Sequence, residues 1–265
     1  MRYALKKVRK ITGRDIATGK NKFVLSDLHN FTINGDSEVV WADGLDGTHL
    51  VGFDVNKTSS MEAENGTIVT GYLETQTGNT FKTVTNGKEV LFTETLIVNT
   101  GKITTSHKAS GTVGNEIGFV YPVDETGDPD TKNAYAQGAE ASATVFSYDP
   151  ETKEITLPTG VFSDGDKVYV EYFPTFTSYD ELDNDSDKFS ETVSVYVDAW
   201  FTDVCTKKDI PLQIVCKSGK VSGTINYTMG NDVAVQAVSI EATQGCGETN
   251  LWKLFKYDMT DVSND

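Results

Sequence analysis

Three histidines, three cysteines and a large surplus of carboxylates are the residues of this chain with the most reactive potential. His29, His49 and His107 are scattered, without the HxH or HExxH spacing that sets two imidazoles on one face of a strand or helix. Each reads as an exposed or edge-strand histidine. Cys205, Cys216 and Cys246 are odd in number and at no metal-ligand spacing, whereas a disulfide scaffold is denser and even-numbered. Cys205 and Cys216 flank a turn expected at Asp209-Ile210-Pro211 and could face each other across a hairpin. The favoured reading is three reduced, half-buried apolar residues. Hydrolase, Walker and dinucleotide glycine motifs are missing. No catalytic residue and no cofactor is expected.

The carboxylates come closer to a site. Asp183, Asp185 and Asp187 occupy positions one, three and five of an EF-hand-like loop. Position six is Lys188 where glycine makes the turn, and position twelve is Ser194 where a bidentate Glu belongs. No helices are expected around it. Asp124, Asp128 and Asp130 form a second acidic loop, and Asp43 with Asp46 a third. Solvated loops are the expectation for all three, and no metal is assigned. Tyr169, Tyr172, Phe173, Phe176 and Tyr179 could stack a sugar. Alternation sets Tyr169 and Phe173 opposite Val168, Val170 and Tyr172, so both faces can be packed, and core or interface packing is the favoured reading.

Charge divides the chain. Residues 1–22 carry eight Lys/Arg and one Asp, and the remainder holds 15 basic against 38 acidic residues. A body this acidic cannot hold nucleic acid by counterion release and would repel a polyanion. Residues 1–22 read as a basic arm, positioned to dock on an acidic neighbour. Residues 23–258 read as the main domain, with mobile acidic loops near 124–138 and 179–188, and residues 259–265 as a tail. At 265 residues the chain can build one large all-β domain or two modest ones. No apolar run reaches the roughly 18–20 residues of a membrane span, and no apolar segment follows the basic start as in a secretory signal.

The elements that must position these residues are mostly strands. Phe31 and Ile33, a turn expected at Asn34-Gly35-Asp36, and Val39 with Trp41 suggest a hairpin. The loop ADGLDGTH follows. Beyond it Val51, Phe53, Val55, Met61 and Ala63 alternate with polar or small residues, a strand with one buried and one wet face. Ile68, Val69, Tyr72 and Leu73 then take helical spacing, with Asn65 or Thr67 as cap and Gly78 after the last turn. Eleven further short segments rich in Val, Thr, Tyr and Phe follow, separated by turns such as Asn99-Thr-Gly, Lys217-Ser-Gly and Met229-Gly-Asn-Asp. The fold class expected is all-β with one short helix, an antiparallel sandwich or barrel.

This order resembles that of the tail-tube proteins of long-tailed bacteriophages. The strand, the loop WADGLDG, the long strand LVGFDVNKTSSMEAE, the helix GTIVTGYLETQTG and the strand EVLFTETLIV carry the likeness. ITLPTGVFSDGDKVYVEYFP and the closing strands IPLQIVCKSGKVSGTINYTMGNDVAVQAVSIEA extend it over residues 23–258. The resemblance implies a virion protein that assembles into stacked hexameric rings around a channel for DNA. It implies contacts with other tail proteins at the tube ends, DNA passing without tight binding, and a virion location after assembly in the host cytoplasm. It assigns residues 42–49 and the flanking strand ends to contacts between copies. Trp41, Leu45, Leu50 and Phe53 are the expected interface residues, and Glu62, Glu64, Glu89 and Glu94 the expected lumen carboxylates. The alternative is an immunoglobulin-like or carbohydrate-binding sandwich displayed on a surface.

Overall fold

The computed structural model describes residues 2–228 and 235–257. The chain opens with β1 (Tyr3–Asp15), β2 (Asn21–Leu25), β3 (Leu28–Asp43), β4 (His49–Asn65) and the helix α1 (Thr70–Thr77). Short strands follow: β5 (Lys82–Val84), β6 (Lys88–Glu89), β7 (Phe92–Ile97), β8 (Lys102–Thr104), β9 (Ile117–Pro122) and β10 (Tyr135–Gln137). After them come β11 (Val145–Asp149), β12 (Glu154–Thr156), β13 (Lys167–Tyr172), β14 (Thr175–Phe176) and β15 (Tyr179–Glu181). The chain ends with β16 (Thr192–Asp203), β17 (Asp209–Val221), β18 (Tyr227–Thr228), β19 (Val235–Ala242) and β20 (Lys253–Lys256). The all-β expectation with one short helix holds. The strand pairs are antiparallel apart from β10 with β11.

Two compact units divide the chain, one of residues 1–81 and 182–265, the other of residues 82–181 inserted between them. The first is built on a sheet in the order β2-β1-β16-β17-β19-β4-β3, with β18 on β19 and β20 on β17. Its core gathers Ile11, Leu25, Met61, Val195, Val197 and Ile240 from alternate positions of neighbouring strands. Tyr72 of α1 joins this core, edge-on to Phe23 with ring centres 5.0 Å apart. Burial pushes its phenol up to about 12. Gly71 lets the helix approach β2, because a Cβ there would sit 2.1 Å from the Lys22 carbonyl oxygen.

The inserted unit carries a sheet in the order β7-β13-β9-β10-β11-β12-β8. Its two ends, β7 and β8, follow each other in sequence, and Asn99 and Lys102 bridge the turn between them. The sheet therefore curls almost into a barrel around Ile117, Val120, Phe146, Val168 and Val170. Two short ladders, β5 with β15 and β6 with β14, accompany the chain into and out of it.

Several local expectations change. The basic segment 1–22, read as an arm, contains β1, which lies between β2 and β16. Register shifts after Leu5 and Val8 break its alternation, which hides the strand from a period-two reading. Asn34-Gly35-Asp36 is not a turn, since β3 runs through it with Asn34 opposite Ser60 and Gly35 opposite Ser59. Lys217-Ser-Gly is likewise inside β17. The helix begins after Val69 without a side-chain cap. Asn65 instead binds the Asp27 amide and the Thr67 carbonyl, while the Val69 amide donates to Gln236 Oε1 at 3.0 Å. Gly78, with φ 71°, ends the helix as expected. The turn at 229–232 and the tail at 259–265 lie outside the described residues.

Candidate assembly surfaces

β3 and β4 pair along almost their whole lengths, from Leu28 opposite Asn65 to Asp43 opposite His49. β19 accompanies β4 only from Ser60 to Asn65. There Ser59, Met61, Ala63 and Asn65 are buried, while Glu62 and Glu64 point outward. Beyond Ser60 the pair continues as a two-stranded ribbon for about nine more residues per strand, roughly 30 Å at the usual rise. The expected buried face of β4 thus exists only at its base. Val51 and Phe53 continue the odd-numbered alternation in sequence, but the register shift between Thr58 and Val55, where Asn56 takes φ 52°, turns them onto the face of Glu62 and Glu64, and both are exposed.

Both faces of the ribbon are apolar and uncovered. Register puts Val40 opposite Phe53 and Ala42 opposite Val51 on one face, and Val39 and Trp41 beside Gly52 on the other. Trp41 is 50% exposed and Phe53 58%, and Leu50 and Leu45 are more exposed still. The indole leans across Gly52, where a Cβ would come within 2.8 Å of the ring. At the far end it stacks on His49, ring centres 4.8 Å apart, and His49 Nδ1 lies 2.6 Å from Asp43 Oδ1. The four expected interface residues therefore lie together on one ribbon and its tip. Two-stranded ribbons are marginal alone in water, and a large exposed apolar patch marks a contact surface.

The other end of the same strand borders a second surface. β2 pairs with β1 only between Ile11 and Arg14, so among the described residues 4–10 of β1 have strand β16 on one side and no strand on the other. Among the described residues β3 pairs with β4 alone, which leaves its other edge open. Between them lies a groove of about 480 Å³ lined by Leu5, Lys6, Lys7, Val8, Phe31 and Ile33 among others. Val8, Phe31 and Ile33 pack on the core from this side. Leu5 is 79% exposed.

The four expected lumen carboxylates are divided. Glu62 and Glu64 share the outer face of β4, next to Ser239 and Ala237 of β19, and Asn30 donates to Glu64 Oε2 at 2.9 Å. Glu89 and Glu94 belong to the inserted unit. Glu89 is exposed on β6. Glu94 is engaged: Ser106 donates to it through its backbone amide and hydroxyl, and the Tyr172 hydroxyl donates as well. Burial pushes this carboxyl up, but those hydrogen bonds outweigh it and hold the group below the usual carboxylate range. Burial, and then the bond to Glu94, pushes the Tyr172 phenol up.

The remaining reactive residues have structural surroundings. His107 packs edge-on to Phe92 and Phe176. Cys216 is buried opposite Val195, while Cys205 is exposed in the turn between β16 and β17 and Cys246 is exposed elsewhere. Cys205 and Cys216 thus do not face each other, because the hairpin turns at residues 204–208, before Asp209-Ile210-Pro211. Only Cys216 is a core residue; the other two are more exposed than expected. Asn79 binds the Asp183 carbonyl and Asp185. The Asp124 loop is closed by Thr126, Gly127 and Asp128. Among the described residues no three His, Cys, Asp or Glu side chains are grouped as metal ligands. Nor is any helix long and apolar enough to cross a membrane.

Among the described residues this geometry gathers apolar side chains and open strand edges on the ribbon and around the groove. The model of the YomU/Tube protein family matches residues 3–244, and the chain belongs to that family. The match spans nearly the whole chain and agrees with the resemblance to phage tail-tube proteins. No curated protein matches it.

Proposed function

We propose that this chain is the repeating subunit of a bacteriophage tail tube, a non-enzymatic virion protein that assembles with copies of itself into stacked hexameric rings. The observation that carries this reading is the ribbon of β3 and β4, which exposes apolar side chains on both faces in a chain of the tube family. Trp41, Leu45, Leu50 and Phe53 supply the contact between copies. Burying a Trp or Phe side chain contributes about 1.5–3 kcal/mol each, enough for a few repeated contacts to drive polymerisation. Free strand edges add backbone hydrogen bonds and are themselves hidden by assembly.

Glu62 and Glu64, on the outer face at the base of β4, line the channel in this reading. Fixed carboxylates there disfavour bound phosphates, so DNA moves through toward the host without adhering. Other tail proteins cap the two ends. Negative-stain imaging of the purified protein over a concentration series tests the proposal. Six-fold rings and tubes are expected as concentration rises. A protein that stays monomeric throughout contradicts it.

A further inference from the structure

The groove between β1 and β3 and the ribbon beyond it complement each other in charge, in apolar surface and in unpaired edges. Residues 34–56, which form most of the ribbon and its tip, contain five acidic residues and no Lys or Arg. Residues 1–10, which supply one wall of the groove, contain five Lys/Arg and no acidic residue. Lys6 is paired with Asp209, whereas Lys7 makes no ion pair among the described residues. The groove floor is the half-covered edge of the core, Val8, Phe31 and Ile33. Among the described residues it is also where the sheet of the first unit stays open, with no strand paired to the facing edges of β1 at residues 4–10 and of β3.

We propose that the acidic, apolar ribbon of one copy seats in the basic groove of a second copy, adding strand edge to strand edge. The contact cannot form within one chain. β3 supplies both surfaces, the groove with Leu28–Ile33 and the ribbon from Asn34 onward, so the tip lies about 30 Å from its own groove along an extended strand. The contact is therefore heterologous: each copy offers a ribbon to one neighbour and a groove to another. Such contacts propagate into rings or filaments rather than stopping at a dimer. Edge addition supplies main-chain hydrogen bonds, while Leu5, Val8 and Phe31 receive alternate apolar side chains. The inference rests on the tube reading and assigns the ribbon a specific receptor.

Two variants test it, a groove variant carrying Leu5→Asp and Lys7→Glu and a ribbon variant carrying Glu38→Lys and Asp54→Lys. Lys7→Glu alone serves as a milder groove change, and circular dichroism and melting temperature check that each chain folds as the wild type does. Each variant should need at least tenfold more protein to assemble than the wild type in analytical ultracentrifugation. An equimolar mixture should give species at least twice the mass of either variant alone, because one retains an intact ribbon and the other an intact groove. If the wild type assembles and the groove variants assemble equally well, this contact is wrong while the tube reading stands. A mixture no heavier than its components also overturns the pairing. A wild type that never assembles overturns both.

Discussion

The base and the far half of the β3–β4 pair carry similar sequence patterns and meet opposite fates. At the base, Met61 and Ala63 alternate with Glu62 and Glu64, and the apolar side is buried in the core of the first unit. In the far half, Val51 and Phe53 alternate with Gly52 and Asp54, and neither side is covered. Two things differ: β19 accompanies the base and stops at Ser60, and the register shift between Thr58 and Val55 turns the odd-numbered residues beyond it to the opposite face. An alternation of apolar and polar residues specifies a surface to be buried, but not whether the same chain buries it. In the proposed tube the base serves folding and the far half meets another copy.

The largest effect expected on that contrast comes from the double change Trp41→Ala and Phe53→Ala. It should abolish tubes in electron micrographs while leaving unfolding free energy within about 0.5 kcal/mol of wild type, as for surface substitutions. Met61→Ala at the base should do the reverse. Loss of a buried Met side chain costs about 2–5 kcal/mol and should lower the denaturation midpoint of the monomer. A smaller effect is expected of Gly52→Ala, whose new methyl would lie within 2.8 Å of the Trp41 ring and tilt it away. The monomer should melt nearly as the wild type does, and the critical concentration for assembly should rise several-fold.

The smallest effect concerns pH, at a site remote from the ribbon. Hydrogen bonds from Lys217, then Lys253 and Asn250, hold the half-buried Glu248 carboxyl down at about 2. A carboxyl lowered on folding contributes stability above its unfolded pKa and loses it as pH falls through the folded value. The contribution should fade between about pH 4.5 and about 2. Glu248→Gln should flatten that part of the acid-denaturation curve slightly, since solvent around the exposed lysines screens the pair, and should leave assembly at neutral pH unchanged.

Much of the fold was legible where pattern and coverage coincide. The strand at Val168, Val170 and Tyr172 and the end of α1 at Gly78 followed from alternation and from a left-handed cap. β1 was not legible, because its register shifts scramble the period of two and its lysines resemble a solvated arm. Nor was the continuation of β3 through Asn34-Gly35-Asp36, since an Asn-Gly pair favours a turn until a partner strand holds it extended. The grouping of Trp41, Leu45, Leu50 and Phe53 was readable from their closeness to one loop. The groove was not, because it joins residues 5–8 to residues 28–33 and to β16 and β17, a juxtaposition made only by the sheet. Glu94 illustrates the same limit: its partners Ser106 and Tyr172 come from elsewhere in the inserted unit and turn an expected channel carboxylate into a hydrogen-bond hub.

Amide hydrogen exchange along β4, measured in dilute monomer and in assembled protein, tests most directly whether a second copy covers the ribbon. Residues 60–65 should be protected in both states. Residues 49–58 should exchange rapidly in the monomer, as expected of a lone two-stranded ribbon, and become strongly protected on assembly. Fast exchange at 49–58 in assembled tubes would contradict the account.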